Sequence, residues 1–181
     1  MNFEIIPAAA LSLSEQARVV NAAFAGYVAG WGDLDAEGLA QFLCLQGADL
    51  SHSRFLRTAD GSAGFGYINR IARIPRLATM GLEPAARGTG AAAYLLNHLL
   101  GEATERGDGA MVLEVIEQNP RALTCYRRQG FRELTRLTGW RRTGGFVPTG
   151  RDLAVEEIPI CDALKLASGR DYPELPWAIT R

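Results

Sequence analysis

The stretch GLEPAARGTGAAAYLLNHLL, residues 81–100, sets Gly88 and Gly90 between a proline-bearing loop and a strongly apolar run. Ala92, Leu95, Leu96, Leu99 and Ala103 recur at helical spacing, and Gly107 stands where such a helix would stop. Glycines where a strand turns into a helix let the backbone approach a ligand closely. The first-turn N–H groups lack helical partners and face the positive end of the helix dipole, so an anion such as a phosphate or pyrophosphate is the natural guest.

Upstream, Leu77 to Leu82 reads as the strand that enters this loop, after a break at Ile74-Pro75. Before it, Ser53 to Thr58 and Gly64 to Ala72 are β-like runs joined through Asp60-Gly61, a pair suited to a hairpin turn. Phe3 to Ile6 reads as a short opening strand. Ser12-Leu-Ser-Glu15 is a capping box, and Val20, Ala23, Phe24, Tyr27 and Val28 share one helical face. Gly30-Trp31-Gly32-Asp33 breaks that helix, and Leu39, Phe42 and Leu43 mark a second one before the polar stretch Asp49 to Ser53. The two helices and their Gly/Trp loop are expected to form one wall of a pocket.

Downstream, the pattern predicts a strand over Met111 to Ile116, a helix opened by Asn119-Pro120 and closed by Gly130, and a strand from Phe131. Asn119 is a good N-cap, and Pro120 fits the first helical position, where a missing N–H costs nothing. The result is a mixed α/β (α+β) fold with a mostly antiparallel central sheet flanked by helices. From about Gly144 the texture changes to Gly144-Gly145, Pro148 and Gly150, then a strand (Asp152 to Ile158), a short helix (Asp162 to Ala167) and a tail with Pro173, Pro176 and Trp177. Residues 1–150 therefore read as one domain and 151–181 as its C-terminal extension.

The chain has 181 residues, enough for one well-buried core, and a formal net charge of −1 from 19 basic and 20 acidic side chains. That balance gives no global attraction to nucleic acid or an anionic membrane. No apolar stretch reaches the length of a membrane span, and Met1-Asn2-Phe3-Glu4 carries an acid where a signal peptide carries basic charge. The expectation is a soluble, cytoplasmic protein. Cys44, Cys125 and Cys161 are widely spaced without a CxxC pair, and with only His52 and His98 beside them neither a disulfide framework nor a metal site is expected.

Three binding loops compete for residues 81–100. A nucleoside-triphosphate loop needs Gly-Lys-Ser/Thr, whereas Gly90 is followed by Ala91-Ala92. Gly88-Thr-Gly90-Ala-Ala-Ala93 does satisfy the dinucleotide fingerprint, with Glu114 in roughly the place of the ribose-binding acid. Against that, the loop follows a hairpin rather than an opening strand, and too little chain remains to complete a doubly wound sheet. In the third reading, Leu82-Glu-Pro84-Ala-Ala-Arg87-Gly88-Thr-Gly90-Ala-Ala92 resembles motif A of the GNAT superfamily of N-acetyltransferases, R/Q-x-x-G-x-G/A. Leu113-Glu-Val115 with Asn119-Pro-Arg-Ala122-Leu-Thr-Cys125-Tyr126-Arg-Arg-Gln-Gly130-Phe131 resembles that family's motif B, N-x-x-A-x-x-x-Y-x-x-x-G-F. Two motifs in order are far more specific than either alone, and the resemblance covers roughly residues 3 to 145.

The resemblance implies transfer of an acetyl group from acetyl-CoA, the cosubstrate, to a primary amine of a small molecule, peptide or protein N-terminus, by direct attack and without a metal. Arg87, Gly88, Thr89, Gly90, Ala91 and Ala92 would surround the pyrophosphate, chiefly through backbone N–H groups. Met80 and Leu82 would pair with the pantetheine arm where their strand separates from the next one as a V, Gly81 being compatible with a bulge there. Tyr126 would reprotonate the leaving thiolate. Asn119 would contact the pantetheine besides capping its helix. Glu114 is the first candidate base and Glu83 the second; each could instead be a solvated strand-end acid. Cys125 reads as a small buried thiol rather than a nucleophile. Arg136, Trp140 and Arg142 could shape an acceptor site. A non-catalytic acyl-CoA-binding sensor or assembly module of the same fold is the alternative, and a homodimer through the tail is left open.

Overall fold

The computed structural model describes residues 2–71 and 74–138. The chain divides into two compact units, Met1–Phe131 and Arg132–Arg181. The expected domain boundary at 150, the loop, strand, helix and tail expected after it, and Trp140, Arg142 and Cys161 lie outside the described residues.

In the first unit the order is β1 (Glu4–Pro7), a 3-10 turn (Ala8–Ala10), α1 (Leu13–Phe24), α2 (Ala36–Gln46), β2 (Ala48–Thr58), β3 (Gly61–Ile71) and β4 (Ile74–Leu82). A second 3-10 turn (Pro84–Ala86), α3 (Ala91–Glu105), β5 (Val112–Leu113) and α4 (Pro120–Arg128) follow. The sheet runs β1-β2-β3-β4-β5, antiparallel through β4 and parallel between β4 and β5. This is the mixed, mostly antiparallel sheet that the pattern predicts.

Alternation along the strands gives the sheet two apolar faces. Phe55, Phe65 and Tyr67 pack with Val19, Val20, Leu39 and Leu43 of α1 and α2, while Leu56, Ile68 and Leu77 pack with Leu95, Leu96 and Leu99 of α3. Burying large side chains of this kind stabilises by about 1.5–3 kcal/mol each. Gly66 lets α3 come close: a Cβ there would lie 2.7 Å from Leu99 Cδ1. On the other face Gln16 is buried and satisfied, its amide donating to the carbonyls of Ala8 and Leu11 and accepting from the Tyr67 hydroxyl at 2.7 Å.

The helix boundaries follow local chemistry. Ser12 caps α1 by accepting from Glu15 N–H, Asp35 caps α2 through Gly38 N–H, and Asn119 caps α4 through Ala122 N–H. α1 ends at Phe24, so Tyr27 and Val28, expected on its face, belong instead to the connection to α2. Strand β2 starts at Ala48 and takes in the polar stretch Asp49 to Ser53, with an irregularity between Asp49 and Arg54.

Two expectations are corrected in the strands around the split. The run Met111 to Ile116 forms only a two-residue strand, because pairing with β4 stops after Arg76↔Val112 and Leu77↔Leu113. The bulge in β4 falls at Ala78, where the register passes from Tyr67↔Thr79 to Ile68↔Leu77, and not at Gly81. Gly81 is required by packing instead: a Cβ there would lie 2.9 Å from Ala23 Cβ and from the Phe65 ring. In the second unit, the expected strand from Phe131 is not formed among the described residues 132–138, which have no regular secondary structure.

Candidate active site

Between β4 and α3 the chain makes the 3-10 turn, then passes Gly88 at φ 76° and Gly90 at φ 91°. These left-handed values are the reason for glycine at both positions; a Cβ at either would meet nothing within 4 Å. Gly90 is the N-cap of α3 and provides no side-chain cap, and the first helical bond runs from Tyr94 N–H to Gly90 C=O. The N–H groups of Ala91, Ala92 and Ala93 precede that bond and form the donor set an anion needs. Thr89 turns its hydroxyl inward, donating to Ala86 C=O at 2.7 Å.

Arg87 does something that its motif position does not reveal. Its Nε donates to Leu82 C=O at 3.1 Å and its NH2 to Ala23 C=O at 2.8 Å. Ala23 is in the last turn of α1, where carbonyls lack helical partners. The guanidinium thus ties the loop to the end of β4 and to α1.

The last half of β4 has an open edge. Glu83 N–H bonds Ala63 C=O at 2.8 Å, and antiparallel pairs alternate between hydrogen-bonded and non-bonded types. Phe65/Gly81 is therefore the next bonded pair, so Met80 and Leu82 direct their N–H and C=O groups away from β3. On that side β5 has already parted from β4, beyond Leu77 and Leu113. A V-shaped split results, with the glycine loop at the far end of its β4 arm.

Glu114 is the first residue past the last paired position of β5. Its Oε2 accepts from Arg76 NH2 at 3.0 Å, with the side chain 40% exposed. Glu83 lies elsewhere, in an ion pair with Arg18 at 2.9 Å, beside a cavity of about 90 Å³ lined by Thr58, Asp60, Ser62 and Ala86 of the β2–β3 hairpin and the 3-10 turn.

Tyr126 projects from α4 against the α3-side core, with its ring 5.8 Å from that of Phe131. Burial pushes its phenol up to about 12, with smaller contributions from the Cys125 thiol and from the Tyr27 phenol of the α1–α2 connection. Burial also raises the Cys125 thiol, which disfavours the thiolate a nucleophile would need. Asn119 spends its side-chain oxygen on the helix cap, accepting from Ala122 N–H at 3.2 Å.

Several residues missed by sequence reasoning join this region. Asn21 pins the α1–α2 connection: its amide donates to Leu34 C=O, and its Oδ1 accepts from Trp31 Nε1 at 3.2 Å and from Leu34 N–H at 3.1 Å. Trp31 stacks on Phe24 at 4.6 Å, and Tyr27 and Phe42 meet the same pair edge-on. Arg76 bonds Glu114, and Gln46 in turn bonds Arg76. Only Arg76 left a signal, a charge next to the apolar run of a strand. Arg136 lies in the second unit. Among the described residues no three His, Cys, Asp or Glu side chains gather as a metal site, and no helix is long and apolar enough to cross a membrane.

Comparison with known proteins agrees with this architecture. Residues 34–139 match the model of the acetyltransferase (GNAT) domain, and the chain belongs to that family. Over 90 residues it is 38% identical to the streptothricin acetyltransferase of Streptomyces lavendulae, covering 48% of this chain and 48% of that protein. It is 34% identical over 100 residues to the N-alpha-acetyltransferase RimI of Mycobacterium tuberculosis, covering 52% and 61%. The crystal structure of the ribosomal-protein-S18-alanine N-acetyltransferase from Escherichia coli superposes with a TM-score of 0.61 at 21% identity, over 74% of this chain and 80% of that one. The chain thus spans less than two thirds of the length of these curated relatives, and the crystal structure shows a shared fold.

Proposed function

We propose that the protein is an N-acetyltransferase that moves an acetyl group from acetyl-CoA to a primary amine by direct attack. The observation that carries this reading is the split between β4 and β5, whose open edge leads at one end to a glycine loop on an uncapped helix N-terminus and has Glu114 just past its last pair. Acetyl-CoA supplies the acetyl group as an activated thioester. The donor set at Ala91 to Ala93, with the neighbouring loop from Arg87, suits a pyrophosphate, and the edge groups of Met80 and Leu82 suit an amide-bearing arm laid along β4. The Leu82 carbonyl is already taken by Arg87, which leaves Met80 and the Leu82 N–H as the backbone contacts. Asn119 contributes by setting α4 at the split.

The incoming ammonium must lose a proton before it can attack, and Glu114, just past the last β4–β5 pair, is the base we assign; Glu83, which lies by the β2–β3 hairpin and not by the split, is the lesser choice. Tyr126 holds its proton at neutral pH. A phenol near 12 lies roughly three pH units above an ordinary thiol, so Tyr126 stabilises the departing thiolate chiefly as a hydrogen-bond donor; where its proton passes to the sulfur, the phenolate takes one back from solvent, which receives the protons the amine has lost. The acceptor enters along the wall that Asn21 pins. One relative is named for streptothricin and another for N-alpha acetylation, and the class of acceptor we assign is correspondingly broad. The reading places the work in the cytoplasm, with the catalytic domain reaching residue 150 and residues 151–181 as an extension. Gel filtration with and without residues 168–181 tests that extension for a role in a homodimer.

Calorimetric titration with acetyl-CoA tests the reading. Saturable binding in the micromolar to millimolar range usual for enzyme substrates is expected, and an absence of binding would sink it.

A further inference from the structure

Glu114 does not stand alone. It belongs to a chain of polar groups that runs out from the interior of the sheet, through residues with no assigned role. Asn69, fully buried on β3, donates from Nδ2 to the carbonyl of Gln46, the last residue of α2. Gln46 Oε1 accepts from Arg76 NH1 at 3.1 Å, and Arg76 NH2 donates to Glu114 Oε2 at 3.0 Å. Asn69 and Arg76 face each other in the β3–β4 register, and Gly47 closes α2 at φ 60°, fixing where the Gln46 side chain begins.

Arg76 is the unexpected member. Its side chain is 9% exposed in a strand where Leu77, its neighbour, belongs to the core. Burying a guanidinium costs several kcal/mol per ion unless its partners are well placed, and an apolar side chain of similar size often stabilises as well or better. Stability therefore does not account for an arginine at this point. The planar guanidinium does have a use for which shape matters: it bonds two partners in fixed directions. Among its partners, Gln46 is rooted in a helix end, and Glu114 directly follows β5.

We infer that Arg76, braced by Gln46, is a positioning residue that holds the Glu114 carboxylate where β4 and β5 part. This rests on Glu114 being the base. Glu114 follows a two-residue strand, and its long side chain is 40% exposed. Tying one oxygen to a rigid guanidinium keeps the carboxylate where an incoming ammonium passes. A displacement of about 1 Å at such a position is enough to cost on the order of 100-fold in rate.

The test compares Arg76→Met, Arg76→Lys, Gln46→Ala, Glu114→Gln and the double variant Arg76→Met/Glu114→Gln. The rate is read as thiol release with an alanine-terminated hexapeptide and streptothricin as probe amines, and acetyl-CoA affinity is read by calorimetry. Expected are a kcat loss of about 100-fold for Glu114→Gln and about 10- to 100-fold for Arg76→Met, with acetyl-CoA affinity within twofold of the parent. The double variant should be no slower than Glu114→Gln, since the two residues act as one unit. Arg76→Lys should recover part of the rate, and Gln46→Ala should lose less than Arg76→Met.

If Glu114→Gln is silent, the reading of Glu114 falls and this inference with it. If Glu114→Gln is slow while Arg76→Met keeps the full rate, or if the two losses multiply, Glu114 stands and the positioning role is overturned. Crystal structures of Arg76→Lys and Arg76→Met need no acceptor: the Glu114 carboxylate should leave the split in the methionine variant and stay in the lysine variant. A carboxylate that keeps its place in the Arg76→Met crystal overturns the inference whatever the kinetics show.

Discussion

The two sides of the split between β4 and β5 are built on different principles. On the cofactor side, the glycine loop and the start of α3 depend on backbone requirements met within a dozen residues: two positive φ angles, an uncapped helix N-terminus and a strand edge. On the side we assign to the acceptor, the geometry comes from side chains far apart in sequence, such as Asn21 with Leu34, Arg76 with Gln46 and Glu114, and Arg87 with Ala23. A feature made of neighbouring residues can be read from a short motif. One assembled across the fold needs the fold first.

Variants can break this division. The largest effect is expected at Tyr126, which comes from the local motif yet faces Tyr27 from the distant wall. Tyr126→Phe should lower kcat by about 100-fold or more while leaving acetyl-CoA affinity within twofold, as steady-state kinetics and calorimetry would show. Next is Gly90→Val. Forcing a β-branched residue to φ 91° costs roughly 1–3 kcal/mol, and the strain falls on the loop that presents the donors. Acetyl-CoA affinity should drop by about 10- to 100-fold, with little change in the acceptor KM extrapolated to saturating acetyl-CoA.

Arg87→Ala sharpens the comparison, because Arg87 bonds both sides. Losing its bonds to Leu82 and Ala23 should weaken acetyl-CoA binding and raise the acceptor KM, each by about 3- to 10-fold. A change confined to acetyl-CoA would mean that the two regions are independent. Asn21→Ala should act on the acceptor side alone, raising acceptor KM by about 5- to 10-fold as the α1–α2 connection loses three hydrogen bonds.

The smallest effect is on alkaline stability. The Tyr126 phenol is raised from an ordinary value near 10 to about 12, so the folded chain keeps a proton that the unfolded chain releases. Its contribution to stability is complete below about pH 10 and is lost as pH climbs toward 12. Tyr126→Phe should melt with a shallower decline over that window. Tyr67 and the Cys125 thiol, raised in the same direction by burial, contribute to the decline that remains.

The sequence carried the order of elements, the hairpin at Asp60-Gly61, the caps at Ser12 and Asn119 and the glycine loop, because each is a short-range requirement. It misjudged β5, since Met111 to Ile116 has strand-like composition and nothing local announces that its partner strand turns away after two pairs. It allowed a bulge at Gly81 because glycine is the usual marker, whereas Ala78 takes the extra position and Gly81 answers to the crowding of Ala23 and Phe65. Glu83 and Glu114 looked alike as strand-end acids. Only the fold separates them, giving one to Arg18 on the hairpin side and the other to Arg76 at the split.

Amine-dependent thiol release tests the central claim most directly. With acetyl-CoA and a panel of primary amines, including an alanine-terminated peptide and streptothricin, the account predicts that at least one amine releases the thiol stoichiometrically with an N-acetylated product, and that Tyr126→Phe slows the release. Saturable acetyl-CoA binding with no thiol release from any amine would contradict it, and would leave the chain as a binding module of the same fold.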